Sequence, residues 1–313
     1  MLGSILNVIA PVLLLGVFGF AATKVGYFRA AHREGLEKYV FDYAVPVLLF
    51  HAVVKLDTPS ASTGALFVAY YLPLSAVFLV GAIAARWLLK RTTVEAIVIG
   101  LGACYSNSVL LGIPLVSRAL GPDALLPLFL LISVHGISVF AVVTVLMEVA
   151  KGQGAQLSTF PKQVAKGLIS NPLIQGLGAG FLWKATGLGL HPLVAEMFDL
   201  VATSVVPCAL FVLGSSLATY TISGSVVPAI LVTSIKNLLH PALVWLVGSW
   251  IGLERDWLAV AILLAAMPTG MTMYQFATRY QVAPPVATTC IFVSTVSGIG
   301  TLSVVIALLA GLS

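Results

Sequence analysis

GACYSNSVLLGIP, residues Gly102 to Pro114, sets polar and helix-breaking residues in the middle of an otherwise apolar run. Ser106, Asn107, Ser108, Gly112 and Pro114 stand where a membrane-crossing helix calls for hydrocarbon. AAMPTGMTMYQF, from Ala265 to Phe276, has the same character and carries Pro268, Thr269, Gly270, Met271, Tyr274 and Gln275. Proline removes a backbone donor and crowds the preceding turn, so both runs read as broken helices. The chain around them is 59% hydrophobic and only 9% charged, with a mean hydropathy of +1.07. A soluble domain carries roughly 25% charged residues. The expected class is therefore an all-α integral membrane protein.

A helix needs roughly 20 apolar residues to cross the hydrocarbon core. Ten candidate spans start near Ile5, Leu36, Thr63, Val94, Ala124, Val164, Leu193, Val226, Trp257 and Pro285. The first reads as a span and not as a cleaved leader, because it lacks a basic start and an A-x-A site. Loops after the odd-numbered spans of the first half hold Lys24, Arg29, Arg33 and Lys38, then Arg86, Lys90 and Arg91, then Lys151, Lys162 and Lys166. Arg279 after the ninth span brings that side to eleven, against four (Lys55, Arg118, Lys184 and Arg255) on the other. The bias predicts a plasma-membrane protein with both termini outside.

The two halves align without gaps at one offset, 161 residues. Pro11 falls on Pro172, Gly19-Phe20 on Gly180-Phe181, Gly26 on Gly187, Val45-Pro46 on Val206-Pro207 and Phe50 on Phe211. Glu95 falls on Asp256, Asn107 on Pro268, Ser108 on Thr269, Arg118 on Arg279 and Ser133 on Ser294. Five spans per half is an odd number, so the second copy enters the membrane upside down. Such inverted repeats mark many secondary transporters. The expected organisation is residues 1–150 as the first five-helix repeat, a cytoplasmic linker over 151–163, and 164–313 as the second. The fourth and ninth helices would be broken and cross, placing a substrate site near the midplane.

Other polar groups inside spans need a reason, since a charge there costs at least about 2.5–3.5 kcal/mol. Two readings stand for Lys236. It attracts an anionic substrate or carries a coupling charge, or it pairs with a carboxylate such as Asp199 or snorkels to a surface. Asn237 and His240 share its helix, but only His240, four residues on, shares its face. His51 and His135 are further coupling candidates, because histidine titrates near neutral pH; a structural histidine is the competing reading. Asp42 is expected to pair with the basic loop before it, and Glu148 to lie at the interface. Glu95 and Asp256 begin their spans and fit a helix N-terminus through the macrodipole. Cys104, Cys208 and Cys290 lack metal spacing and read as small buried residues. No G-x-S-x-G, H-E-x-x-H or phosphate-loop motif occurs, so neither an enzyme nor ATP-driven pumping is expected, and no cofactor or metal.

The motifs match a known pattern. NSVLLGIPL at Asn107–Leu115 resembles the fourth-span signature of the auxin efflux carrier family. AAMPTGM at Ala265–Met271, with FATRYQV at Phe276–Val282, is similar to its ninth-span pattern, and AVPVLLFH at Ala44–His51 to its second-span motif. The resemblance extends over nearly the whole chain, which looks like a compact bacterial member without the long loop of long plant members. It implies elevator-like alternating access of organic anions: auxin in plants, small carboxylates such as malate or malonate in bacteria. It implies contact between Asn107 and the substrate carboxylate, a crossing near Pro268, and a site including Ser106, Ser108, Pro114, Thr269, Gly270, Met271, Tyr274, Gln275, Pro46 and Phe50. It also implies a scaffold of the first, second, sixth and seventh spans, a mobile core of the other six, and a homodimer formed through the scaffold. Plant members carry an Asp and a Lys in the third span, where this chain has Tyr70-Tyr71-Leu72-Pro73. A coupling role for that pair does not carry over.

Two other readings remain at this level. One is a sodium-coupled anion symporter of the bile-acid type, although the ninth-span region offers Thr269, Thr272 and Gln275 but no acid. The other is a membrane receptor that binds without transporting. The expected partners are a small organic anion, the lipid bilayer, and a proton or sodium ion as coupling species, with no nucleic acid.

Overall fold

The computed structural model describes residues 2–55, 63–152, 166, 169–220 and 226–312. The linker expected over 151–163 lies outside these residues beyond Gly152, as does the sixth start at Val164. Every regular element described is helical. The first half contains α1 (Leu2–Lys24), α2 (Ala30–Tyr39), α3 (Val45–Lys55), α4 (Thr63–Trp87), α5 (Thr93–Cys104), α6 (Ile113–Leu120) and α7 (Leu125–Ala150). The second contains α8 (Pro172–Ala185), α9 (Pro192–Thr219), α10 (Val226–Ser234), α11 (His240–Trp250), α12 (Arg255–Ala266), α13 (Thr272–Arg279) and α14 (Pro284–Leu312). Among the described residues, five runs are long and apolar enough to cross a bilayer unaided: Thr63–Trp87, Pro122–Ala150, Pro192–Thr219, Val226–Trp250 and Pro284–Leu309. Of the other expected starts among the described residues, Ile5, Val94 and Trp257 fall within three residues of the starts of α1, α5 and α12, and Leu36 falls inside α2.

Three of the interruptions have one cause. Wide π-helical turns occupy Val40–Ala44, Ser108–Gly112 and Ile235–Leu239, and a proline stands two residues beyond each: Pro46, Pro114 and Pro241. A proline ring clashes with the carbonyl four residues back and offers no N–H to it. Widening the turn accommodates the ring, and the residue before the proline bonds five residues back. Accordingly Val45 N–H donates to Val40, Ile113 to Ser108 and His240 to Ile235. The first helix of the broken fourth span is set by its cap. Thr92 accepts from the Glu95 N–H at 3.3 Å, and the Glu95 carboxylate accepts from the Thr92 N–H at 3.0 Å. Glu95 therefore holds a helix N-terminus, as its position predicts. Asp42, in contrast, is exposed and makes no ion pair among the described residues.

Hydrogen bonds sort the helices into two groups. Thr23 donates to Ser215 at 2.8 Å, Tyr39 and Ser204 lie 2.8 Å apart, and Lys55 donates to Asp199 at 3.2 Å. These tie α1, α2 and α3 to α9. In the other group, Tyr71 on α4 donates to the Leu131 carbonyl on α7, and Asn237 donates to the Ser294 carbonyl on α14. The first group is closed by glycine. A Cβ at Gly19 would run into the backbone of Phe211, and one at Gly180 into the backbone of Phe50. The two contacts stand at the same offset of 161 residues, 19 to 180 and 50 to 211. Only glycine permits so close a helix approach, the small-residue packing usual within membranes.

The second group surrounds two short helices. Every residue of α5 from Ala96 to Cys104 is buried, as is every residue of α12 from Val260 to Ala266. Helices apolar on all sides belong at the centre of a packed bundle. Their C-terminal ends therefore open into the middle of the molecule.

Gly19→Val and Gly180→Val should each destabilise the protein by about 1–3 kcal/mol, the usual cost of overpacking. Thermal unfolding in detergent measures this, with Gly178→Val as control, since a Cβ at Gly178 meets open space. Equal midpoints for the Gly178 and Gly180 variants would contradict the close-packed seam.

Candidate functional site

Both helix breaks are legible in their residues. At Tyr105 the chain turns extended (φ −82°, ψ 117°), entering a Ser-Asn-Ser run whose side chains compete with helical hydrogen bonding. At Met267 it turns extended (φ −59°, ψ 145°), because the following proline disfavours the helical region there. The two extended segments cross. Asn107 N–H donates to the Pro268 carbonyl and Gly270 N–H to the Tyr105 carbonyl, both at 2.9 Å. Pro268 has no N–H to return the first bond; Gly270 supplies the second. Ser106 thus lies opposite Thr269 in an isolated antiparallel bridge. The hydroxyls complete the exchange. Ser106 Oγ donates to the Leu264 carbonyl at 2.8 Å, and Thr269 Oγ1 donates to the Gly102 carbonyl at 2.9 Å. Each break thereby caps the last turn of the other helix, where carbonyls lack intrahelical partners. Gly270 is required here, since a Cβ would strike the Tyr105 ring and the Ser106 carbonyl.

Asn107 is only 6% exposed, and its side-chain Nδ2 has no hydrogen-bond partner. An unpaired buried amide costs about 1–3 kcal/mol, so such a donor calls for a ligand or a water. It stands at the N-terminal end of the turn Ser108–Gly112, which leads into α6. The first N–H groups of that segment and its dipole favour negative charge at the same place. Ser108 is buried beside it, its N–H bonded to the Ser106 carbonyl at 2.8 Å.

A second buried cluster adjoins the crossing. Tyr70 Oη lies 3.2 Å from Ser106 Oγ. The Tyr70 ring is 5.7 Å from that of His135 and 5.5 Å from that of His240. His135 stacks on Tyr105 at 4.4 Å, and neither of its ring nitrogens has a partner. Lys236 is fully buried in the turn Ile235–Leu239; Nζ donates to the Ala265 carbonyl and lies 3.2 Å from His240 Nδ1. Neither pairing with Asp199 nor snorkelling occurs. Asp199 is taken by Lys55 and by His51 Nδ1 at 3.2 Å, and the Lys236 side chain is too deep to reach water.

Not every expected site residue reaches the crossing. Pro46 and Phe50 pack against Gly176 and Gly180 in the seam between α3 and α8. His51 faces Asp199 and Phe198 on α9. Pro114 is buried in the first turn of α6. Met271 is half-buried ahead of α13, Tyr274 lies half-buried 6.2 Å from the Tyr220 ring, and Gln275 is exposed. Glu148 is buried and accepts from Tyr280 Oη at 3.0 Å. Sequence reading did not assign to the site Tyr70, Tyr105 or Ser294, whose Oγ accepts from the Thr269 N–H at 3.1 Å. A tyrosine or serine in an apolar run carries little signal until its partner is known. Between the two groups lies an apolar cavity of about 180 Å³, lined by Val12, Gly16, Leu111, Leu115, Leu210 and Val296 among others.

Comparison with known proteins agrees with the motifs. A family model described as "Membrane transport protein" matches residues 4–306. The chain is 27% identical over 287 residues to a protein of Rhizobium meliloti (strain 1021) named "Putative malonate transporter", covering 86% of this chain and 84% of that one. It is 22% identical over 293 residues to an "Uncharacterized transporter" of Methanothermobacter thermautotrophicus, covering 92% and 93%. With nearly its whole length matched and its fourth-span motif built into a hydrogen-bonded crossing, the chain belongs to the membrane transport protein family, the auxin efflux carrier family that its motifs resemble.

Proposed function

We propose that this protein is a secondary transporter of small carboxylates, with the anion held by the Asn107 side chain and the N-terminal end of Ser108–Leu120. The observation that carries this reading is the buried, unpartnered Asn107 Nδ2 at a half-helix N-terminus. A neutral amide and free backbone N–H groups can bind a carboxylate without a permanent cation beside it. The relative named for malonate supports a small carboxylate as the substrate class.

The architecture that serves this function is ten spans in two inverted five-helix repeats, residues 1–150 and 164–313. Support comes from the glycine contacts at a common offset and from the reciprocal capping of α5 and α12. Helices α1, α2, α3, α8 and α9 form the scaffold, and the remaining helices move as the elevator. The hydrogen bonds within each group hold it together, while the aliphatic cavity lies where the two groups meet. The scaffold is the dimer surface, the membrane is the cell's inner (plasma) membrane, and both termini face outward, as the placement of Lys and Arg favours.

Proteoliposomes bearing the protein should take up radiolabelled malonate or malate faster than protein-free vesicles. An absence of flux under imposed proton, sodium and voltage gradients would favour a receptor. Asn107→Ala should weaken carboxylate binding at least about tenfold, equivalent to about 1.4 kcal/mol, while leaving folding intact. Unchanged affinity, measured by calorimetry, would remove Asn107 from the site. Thr269→Val deletes only the hydroxyl that caps Gly102, so it should lower stability by about 0.5–1.5 kcal/mol and leave anion affinity within about twofold. A large loss of affinity at unchanged stability would reverse those assignments.

A further inference from the structure

The C-terminal end of α12 is a concentration of negative potential in the middle of the molecule. Its last carbonyls lack intrahelical donors, and the helix dipole places about half a negative charge there. Ser106 and the Met267 N–H serve the Leu264 carbonyl. The Ala265 carbonyl is served by Lys236 Nζ, reaching in from the π-helical turn on the neighbouring span. No ion pair among the described residues includes Lys236. The ammonium is thus held by a carbonyl, an imidazole nitrogen at 3.2 Å and a helix end, with no carboxylate.

Two of those groups, the carbonyl and the helix end, are ones used for another cation. In ion-coupled carriers with broken helices, unwound carbonyls and half-helix C-termini coordinate sodium. The other half-helix end is furnished differently. At the C-terminus of α5, the Gly102 carbonyl takes the Thr269 hydroxyl and the Leu101 carbonyl takes the Tyr105 N–H. The residue 161 positions before Lys236 is Ser75, whose hydroxyl bonds to Tyr71 in its own helix. A cation is therefore fixed at one end only.

We propose that the Lys236 ammonium is a tethered cation occupying, at the α12 C-terminus, the place of a coupling sodium ion, and that this carrier works without sodium. The inference rests on the transporter reading above, and it identifies which coupling ion that reading excludes.

The test compares thermal unfolding of the purified full-length protein in sodium chloride and in choline chloride. Wild type should unfold at the same temperature in both. Lys236→Met keeps an unbranched side chain one atom shorter but leaves the helix end without its cation. That variant should unfold at lower temperature in choline and recover about 2–4 °C in sodium; Lys236→Ala should do the same with a larger initial loss. Variants that fold only in sodium would give the same answer. Sodium-dependent stabilisation of the wild type, sodium-gradient-driven carboxylate uptake by it, or a Lys236→Met protein as indifferent to sodium as wild type would each overturn the proposal. Failure of any carboxylate to move under any gradient would strike the transporter reading instead and leave the unfolding comparison to decide the place of Lys236.

Discussion

Everything polar at the centre of this molecule depends on one exchange of hydrogen bonds. Two helices stop inside a hydrophobic bundle, where each unpaired backbone group is costly. The chain meets that cost by making each interruption the cap of the other helix. Ser106 serves Leu264, Thr269 serves Gly102, and the segments between them bond as a two-residue ribbon. These mutual caps use only neutral groups, and the one cation at the crossing among the described residues, Lys236, serves the neighbouring Ala265 carbonyl. That leaves the Asn107 Nδ2 without a partner, beside the N-terminal end of Ser108–Gly112.

Where helices break or widen, proline acts in two distinct ways. Pro268 stops a helix outright, since the residue before it is forced extended. Pro46, Pro114 and Pro241 instead sit beyond a widened turn and let the helix continue. The difference lies in the residues on the C-terminal side. After Pro268 come Thr269 and Gly270, which suit a crossing segment, whereas the other three precede aliphatic residues that resume the helix. Two of the widened turns carry the residues of interest, Ser108 in one and Lys236 with Asn237 in the other. A wide turn reorients side chains relative to a regular helix, a common accompaniment of function.

The class of fold and the place of the breaks could be read from the amino acids alone, because composition, proline and the Ser-Asn-Ser run act locally. The cap formed by Glu95 was readable for the same reason. Residues that depend on distant partners were not. Nothing near Lys236 in sequence announces the Ala265 carbonyl, and its expected partner Asp199 proved to belong to Lys55 and His51. Nothing near Glu148 in sequence announces its hydrogen bond from Tyr280, 132 residues away. Pro46 and Phe50 belong to a motif, yet the surface they form is a glycine seam and not the crossing. Tyr70, noticed only as a departure from plant relatives, is the link between Ser106 and the two buried histidines.

The glycine seams also bear on mechanics. Where Gly19 meets Phe211 and Gly180 meets Phe50, backbone lies directly on backbone, with no side chain between to bend or change rotamer. Such a joint has almost no compliance, so any relative motion must be taken up elsewhere. In the elevator proposed above, the aliphatic contact around Leu111, Leu115 and Leu210 would be the slip plane, because one apolar surface can glide over another without a polar bond being broken at each step. Stiffness in one interface and lubrication in the next would give the proposed elevator a track.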